Sequence, residues 1–331
     1  MTDPCPCAMP RTRRSSRPRL VVVTPVYDER SALPVYVDEV RRTLLGQPDM
    51  STRVLLIDDG SRDGSWTFIS DLASRDGRFR GVRLSRNYGS HVALAAGFAA
   101  LDEDFDLAVV LACDLQDPPS VVRSMVGEWR RGADVVWGVR EAREDPWFRV
   151  AASRVFEACL RRWAMPPGSL FSTGSFVLLD RKVVTAVRQM PERRPITFAL
   201  VAWTGFEQAR VGYERAQRVA GRSRWRFRGL VEAMYSAFVG FSSLPIRLMK
   251  LAAVGAACLG VGMVFYLLLE ASTHRTAPGW VSQMLLLSVF FTIQFALTAL
   301  IGEYLARIYA ESVGRPRFFV SDDTGTGGCH R

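Results

Sequence analysis

Short apolar runs alternate with amphipathic segments from Leu20 to about Tyr213. The runs are rich in β-branched residues, which is typical of buried strands, whereas the segments between them carry apolar residues at helical spacing. This alternation predicts an α/β domain in which helices cover a mostly parallel sheet. The predicted strands are LVVVTP (20–25), VLLIDD (54–59), GVRLS (81–85), LAVVLAC (107–113) and ADVVWG (133–138), and the predicted helices are 33–45, 65–74, 90–101 and 119–131.

The pattern changes after Arg215, where six arginines between positions 215 and 228 precede an apolar stripe. The apolar residues from Leu230 to Val239 recur at helical spacing, which indicates an amphipathic helix. Arginines beside such a face are typical of a helix that lies in a membrane interface. We therefore expect an interfacial helix over 226–247, with an ordinary core helix as the alternative.

Two uncharged runs follow, Leu251 to Leu269 with 19 residues and Val281 to Gly302 with 22 residues. About 20 apolar residues span a bilayer, so these runs predict a two-helix transmembrane hairpin over 248–303. The connecting EASTHRTAPG holds one arginine, whereas several basic residues flank the outer ends of the hairpin. Basic residues favour the cytoplasmic side, so we expect a multi-pass plasma-membrane protein whose α/β domain and termini are cytoplasmic. Two buried helices of a soluble protein are the alternative.

The chain is basic, with a net charge of +10, which favours an anionic partner such as nucleic acid, a lipid bilayer or a phosphorylated substrate. The first 19 residues form a basic stretch that we interpret as a disordered tail without a secretory signal, and 304–331 is expected to be a cytoplasmic tail. Nucleic-acid binding is disfavoured because the arginines cluster in the tail and beside the predicted membrane helix. No G-x-G-x-x-G follows the first strand, which argues against dinucleotide binding.

Acidic residues follow two of the predicted strands. Asp58 and Asp59 end one strand and Asp114 follows another, and ligands of such sheets gather at the carboxyl ends of strands. Asp114, with Gln116 two residues later, is suited to a divalent cation that is also held by substrate phosphates. The Asp-Gly pairs alone are equally well explained by β-turns. We interpret Asp117, which precedes two prolines, as a helix cap, with a contact to ligand as the less favoured alternative.

Several stretches together resemble the family-2, GT-A-fold glycosyltransferases that act on polyprenyl phosphates. This family includes dolichol-phosphate mannose synthases, bactoprenol glucosyltransferases and undecaprenyl-phosphate formamidoarabinose transferases. The likeness runs from about Leu20 to Val320 and implies a GT-A catalytic domain over 20–225. The stretches that carry it are TPVYDE (24–29), IDDGSRDGS (57–65), LSRNYGSHVALAAGF (84–98), DLQDPP (114–119), WGVREAREDPWFR (137–149) and RVAGRSRW (218–225).

The resemblance also implies the roles of individual residues. It places Asp114 and Gln116 on Mg²⁺ or Mn²⁺ and makes them, with Arg140, the catalytic set. It implies an inverting transfer from a UDP- or GDP-sugar to a polyprenyl phosphate, for cell-envelope modification, by a small homo-oligomer. The residues implied at the nucleotide are Pro25, Tyr27, Glu29, Asp58 and Asp59, and those implied at the lipid phosphate are Arg140, Arg154, Arg218 and Arg224.

The chemistry agrees with a site that lacks a protein base. A phosphate monoester has its second pKa near 6, so its oxygen is already largely deprotonated at neutral pH. The barrier lies in bringing two anions together and in stabilising the departing diphosphate. A metal and arginines suit that task better than a Ser/His/Asp set.

The chain departs from the family pattern at three positions. Ala112 stands where the family usually has the first aspartate of Asp-x-Asp, Val177 where an arginine is usual, and Asp28 where asparagine is common. Two hypotheses therefore remain: an active transferase, or a catalytically silent family member that serves as a lipid-binding or scaffold subunit. A processive polysaccharide synthase is disfavoured because Gly221 stands where its Gln-x-x-Arg-Trp signature needs glutamine.

Overall fold

The computed structural model describes residues 15–140, 176–190, 192, 196–214 and 279–325, together with seven single positions between 251 and 269. The predicted interfacial helix over 226–247 lies outside these residues, as does most of the first predicted span. The chain divides into two compact units. One consists of Met1–Glu232 with Pro316–Arg331, and the other of Ala233–Arg315.

The first unit is an α/β domain, as predicted. Its described strands are β1 (Arg19–Val26), β2 (Ser51–Asp58), β3 (Phe79–Leu84), β4 (Leu107–Val110), β5 (Val135–Arg140), β6 (Val177–Asp180), β7 (Gln208–Tyr213) and β8 (Val320–Asp323). Its described helices are α1 (Leu33–Thr43), α2 (Ser65–Arg75), α3 (Ser90–Ala100), α4 (Val122–Arg131), α5 (Arg181–Gln189) and α6 (Thr197–Trp203), with a 3₁₀ turn at Pro119–Val121.

All eight strands form one sheet in the order β7-β5-β6-β4-β1-β2-β3-β8. The four strands β4, β1, β2 and β3 run parallel, and so do β5 and β7. Strands β6 and β8 are antiparallel to their neighbours, which the alternation of runs did not predict. The strand order reverses at β1, which lies between β2 and β4. Ligands of open α/β sheets bind at such a reversal, beside the carboxyl ends of the strands.

The helices pack on the sheet through one apolar face each. The buried residues of α1 are Leu33, Tyr36, Val37 and Val40, which follow the i, i+3, i+4, i+7 spacing of a helix. Helix α4 repeats this spacing in its own buried residues. Burial of each large apolar side chain contributes about 1.5–3 kcal/mol, so these faces hold the helices against the sheet and fix the loops between them.

The second unit contains α7 (Trp280–Ser312), a helix of 33 residues that includes the second predicted span. Several of its large apolar side chains are exposed, among them Phe295 and Leu305. Among the residues that the structure describes, no helix has both the length and the apolar character needed to cross a membrane. The two membrane spans therefore stay predictions.

Candidate active site

The loops that follow β1 and β2 are joined by hydrogen bonds at the reversal point of the sheet. The N–H of Asp28 donates to Ser61 Oγ at 2.9 Å, and the N–H of Arg62 donates back to Asp28 Oδ1 at 2.9 Å. Asp28 has a φ of 51°, in the left-handed region that aspartate and asparagine tolerate better than most residues. Aspartate can therefore take this position, where the family commonly has asparagine, and its carboxylate ties the two loops together.

A second set of bonds joins the same two loops further along. The N–H of Glu29 donates to Ser65 Oγ at 3.1 Å, and the N–H of Arg30 donates to Asp63 Oδ2 at 2.9 Å. Asp63 Oδ1 in turn accepts the hydroxyl of Ser65 at 2.6 Å. The predicted nucleotide residues Pro25, Tyr27 and Glu29 are all half-buried on the β1 side of this junction. These hydrogen bonds from backbone N–H groups fix the conformation of the loop that carries Tyr27 and Glu29.

Asp58 ends β2 and is fully buried. Its Oδ1 accepts the N–H of Ser61 at 3.2 Å, and its Oδ2 lies 3.2 Å from Arg83 Nε. Burial raises the pKa of Asp58 above its usual value, although the bonds from Ser61 and the charge of Arg83 oppose the shift. Arg83, at the end of β3, was not predicted as a site residue. Its position in the strand GVRLS was the available signal, because β2 and β3 are parallel neighbours.

Asp59 has a different role from Asp58, although the two are adjacent. Its Oδ1 accepts the N–H of Tyr88 and its Oδ2 accepts the N–H of Gly89, both at 2.8 Å. Burial raises the pKa of this carboxyl, against the effect of those two hydrogen bonds. Asp59 thus holds the loop between β3 and α3. Its predicted contact with a nucleotide stays a prediction.

Gly60 allows that loop to come close. Its φ is 72°, and a Cβ built on it would lie 2.6 Å from the carbonyl carbon of Arg86. Only glycine accommodates both the left-handed backbone and this approach. The sequence IDDG therefore encodes a buried carboxylate, a loop anchor and a close passage of two backbones.

Asp114 and Gln116 lie in the loop that follows β4, next to the end of β1. Both side chains are half-buried, whereas Cys113, Leu115 and Asp117 between and beside them are buried. Leu115 has a φ of 54°, and the N–H of Gln116 donates to Asp114 Oδ1 at 3.2 Å. This tight turn leaves a carboxylate and an amide two residues apart, both partly exposed, while Leu115 between them is buried. Two such oxygen donors fit a hard divalent cation whose other ligands are substrate phosphates and water.

The described residues contain no group of three or more His, Cys, Asp or Glu side chains arranged to hold a metal ion. Ala112, where the family usually has a carboxylate, is half-buried and contributes no ligand. Val177 is fully buried in β6, where its backbone is in register with Val110 and Trp137. An arginine, which the family usually has at this position, would have to be buried on the central strand β6, between β4 and β5.

Arg140 ends β5 and Tyr213 ends β7, and the two are in register across these parallel strands. The hydroxyl of Tyr213 donates to Asp117 Oδ1, and Arg140 Nη2 lies 4.0 Å from the same oxygen. The prediction that Asp117 caps the following helix is wrong, because Pro118 occupies the cap position of the 3₁₀ turn. Asp117 is drawn instead to a partner 96 residues away.

The structure thus brings Asp58 to the end of β2, Asp114 and Gln116 to the end of β4, and Arg140 to the end of β5. The three other predicted arginines, Arg154, Arg218 and Arg224, lie outside the described residues. Sequence reasoning did not predict Ser61, Ser65, Arg83 or Tyr213 as parts of the site. Ser61 and Ser65 lie in the stretch IDDGSRDGS (57–65), but their partners Asp28 and Glu29 come from another loop, and so the stretch alone does not identify these contacts.

Comparison with known proteins gives consistent results. The sequence profile of Glycosyl transferase family 2 matches residues 21–187. An uncharacterized glycosyltransferase of Synechocystis is 31% identical over 92% of this chain and 95% of its own length. An undecaprenyl-phosphate 4-deoxy-4-formamido-L-arabinose transferase of Aeromonas hydrophila is 32% identical over 90% of this chain and 92% of its own length.

Among solved structures, a mannosyltransferase from Pyrobaculum calidifontis in complex with GDP-mannose and Mn²⁺ is similar to this chain. It is 16% identical, with a TM-score of 0.46, over 90% of this chain and 86% of its own.

Proposed function

The chain belongs to glycosyltransferase family 2, and we propose that it moves a sugar from a nucleotide-sugar donor to a polyprenyl phosphate with inversion at the anomeric carbon. One observation carries the proposal. Asp58 ends β2, the Asp114–Gln116 turn follows β4, and Arg140 ends β5 of the same sheet. Their oxygen ligands and the cation of Arg140 are suited to a donor diphosphate and an acceptor phosphate. The name of the Aeromonas relative describes a transfer to undecaprenyl phosphate, which supports this acceptor class.

The donor's nucleotide would lie against the joined loops after β1 and β2. Asp58 offers a buried carboxyl that can bond to a base, and the half-buried Tyr27 and Glu29 lie on the β1 side of the same junction. The diphosphate would then extend toward Asp114 and Gln116. Transfer from a panel of UDP- and GDP-sugars identifies the base, uracil or guanine, and the sugar that it carries.

In the reaction, a deprotonated oxygen of the acceptor phosphate attacks the anomeric carbon of the sugar and forms a new C–O bond. The C–O bond to the nucleoside diphosphate breaks, and its electron pair leaves with the diphosphate. No proton needs to be removed, because the second pKa of a phosphate monoester is near 6. Arg140 would attract the acceptor phosphate and reduce the repulsion between the two anions.

Asp114 and Gln116 would hold a divalent cation, Mg²⁺ or Mn²⁺, whose positive charge stabilises the departing diphosphate. The turn at Leu115 would supply the orientation, because it leaves both Asp114 and Gln116 partly exposed around a buried residue. Because Ala112 supplies no second carboxylate, the donor's own phosphate oxygens would complete the coordination.

The enzyme would work at the cytoplasmic face of the plasma membrane, where a long-chain polyprenyl acceptor resides. The two uncharged runs and the arginine-flanked amphipathic stretch support this proposal, and so do the exposed apolar side chains of α7. Washing of membranes with alkaline carbonate should leave the full chain in the pellet. Its release into the supernatant would contradict a membrane-spanning anchor.

Transfer of labelled sugar tests the function directly. Purified full-length protein in detergent is incubated with undecaprenyl phosphate and a panel of UDP- and GDP-sugars, with Mg²⁺, with Mn²⁺ or with chelator. We expect metal-dependent product from one donor class. The Asp114→Ala variant should abolish it, whereas Asp71→Ala, which removes an exposed carboxylate on α2, should not.

A second candidate function, the silent lipid-binding or scaffold subunit, is favoured by Ala112 and Val177, which stand where the family usually has an aspartate and an arginine. It predicts that the protein binds lipid phosphate and makes no product with any donor. That outcome would overturn the transferase proposal.

A further inference from the structure

Three polar groups meet beside the Asp114 loop in a way that the proposed reaction does not by itself require. Tyr213 is 5% exposed, and its hydroxyl donates to Asp117, which is 2% exposed. Arg140 approaches the same carboxylate, with Nη2 at 4.0 Å from Oδ1. Within the described residues, Arg140 Nε is buried and has no hydrogen-bond partner.

The ring of Tyr213 is fixed by its surroundings. It packs edge-on against Phe176, with ring centroids 5.5 Å apart and planes at 88°. Gly138 makes room for both rings, because a Cβ there would lie 2.6 Å from Phe176 Cδ1 and 3.1 Å from Tyr213 Cε1. Burial and the neighbouring carboxylate raise the pKa of Tyr213 to about 12, so its hydroxyl stays protonated and remains a donor at neutral pH.

The distance from Arg140 to Asp117 is informative. A full arginine–carboxylate pair has two parallel N–H···O bonds of about 2.7–2.9 Å, which use two of the five N–H groups and set a negative charge directly against the guanidinium. Here the carboxylate is held by the phenol and the pair is incomplete. Arg140 is half-buried, and a guanidinium whose buried Nε–H has no partner among the described residues can bind a second anion.

We propose that Tyr213 is a positioning residue: by holding Asp117, it prevents this carboxylate from closing a full ion pair with Arg140 and keeps the guanidinium available for the acceptor's phosphate. This inference rests on the proposed function, in which Arg140 receives the lipid phosphate. Asp117 attracts Arg140 and keeps it close, and the hydrogen bond from Tyr213 limits how closely the carboxylate and the guanidinium pair.

Tyr213→Phe is the direct test, since phenylalanine keeps the ring packing on Phe176 and removes only the hydroxyl. Without its bond from the phenol, Asp117 should close the full ion pair with Arg140, and the KM for undecaprenyl phosphate should rise about tenfold, as for the loss of one bond to a charged group. The KM for the donor and kcat at saturating acceptor should change less than twofold. Tyr36→Phe is the matched control, because it also removes a buried phenol hydroxyl, one bonded to Thr24.

A second variant separates competition from simple damage. In Tyr213→Phe combined with Asp117→Asn, the neutral amide no longer competes for Arg140, so the acceptor KM should return to within about threefold of wild type. Thermal melting confirms that each variant is folded. A double variant with the same raised KM as Tyr213→Phe would overturn the proposal, as would a Tyr213→Phe effect confined to kcat or to the donor.

The two levels of the argument fail differently. If the wild-type protein makes no product, the proposed function is lost, and binding of undecaprenyl phosphate is measured instead by fluorescence competition in detergent. Weaker binding by Tyr213→Phe but not by Tyr36→Phe would still support the role of Tyr213. Equal binding by all three proteins would overturn it.

Discussion

Replacement of Gly60 by alanine should destabilise the catalytic domain far more than replacement of Gly64, although both glycines lie in one loop. The backbone angle φ is 72° at Gly60 and 86° at Gly64, so alanine is strained at both. A Cβ at Gly60 would lie 2.6 Å and 2.8 Å from main-chain atoms of Arg86, whereas a Cβ at Gly64 would meet nothing within 4 Å. Main-chain atoms cannot rotate away as a side chain can. The pair thus separates steric clash from backbone strain.

The expected magnitudes follow from these distances. The left-handed backbone costs about 1–2 kcal/mol for a residue with a Cβ, and loss of glycine's freedom in the unfolded chain returns about 0.4–1 kcal/mol. Gly64→Ala should therefore cost about 1 kcal/mol. Overpacking against a fixed backbone adds about 1–3 kcal/mol at Gly60. A difference of about 2 kcal/mol corresponds to a Tm difference of about 4–8 °C for a domain of this size.

Scanning fluorimetry of the two purified full-length variants measures this difference. Calorimetric titration with UDP and GDP then reports the donor site, where Gly60→Ala should weaken binding, because the displaced Arg86 segment carries the amides that bond to Asp59. Equal Tm values for the two variants would show that the loop after β3 moves away from residue 60 without loss of stability. The close approach of Gly60 to Arg86 would then not contribute to stability.

Two further predictions concern charged groups. Burial raises the pKa of Asp58 above its usual 3.8, so the folded state holds the carboxyl proton more tightly than the unfolded state does. The stability that this proton contributes is fully present below the pKa of the unfolded state and is lost as the pH rises through the pKa of the folded state. Asp58→Asn should accordingly lose less Tm than wild type as the pH rises above about 4, and a parallel pH dependence would contradict this sign. Asp323 pairs with Arg80 at 2.6 Å between β8 and β3, so Asp323→Asn should cost about 1.5–3 kcal/mol by thermal melting. Asp322→Asn, one residue away and without an ion pair in the described part of the chain, should stay within about 0.5 kcal/mol of wild type.

The alternation of strands and helices could be predicted because each element follows one period. Helices α1 and α4 have buried residues at helical spacing, and the predicted bounds of α1 differ from the observed ones by two residues at one end. Strand β8, VSDD, was missed because it is short and polar. Its conformation comes from pairing with β3, where Asp323 of β8 is in register with Val82 of β3. Such pairing has no local signal in the sequence.

The site was predictable where topology alone fixes a residue. Asp58 ends β2 and Asp114 follows β4, and these two strands flank β1 in parallel, so their meeting at one edge follows from the alternation. Asp117 was assigned by a local rule, the preference for a cap before prolines, and a tertiary hydrogen bond to Tyr213 decided otherwise. Partners that come from distant loops cannot be ranked by sequence spacing.

The single carboxylate of the metal loop leads to a last prediction. Ala112 and Asp114 are both half-buried, with buried Cys113 between them, so we expect an aspartate at position 112 to lie on the exposed side with Asp114. With one carboxylate and one amide, the protein alone should hold Mn²⁺ weakly, and most of the affinity should come from the donor's diphosphate. Electron paramagnetic resonance titration should show little bound Mn²⁺ without UDP or GDP and clear binding with the matching nucleotide. Ala112→Asp should strengthen binding of Mn²⁺ in the absence of nucleotide, because a second negative oxygen ligand replaces a methyl group. If Ala112→Asp leaves that affinity unchanged, position 112 does not face the cation, and the one-carboxylate account of this site is wrong.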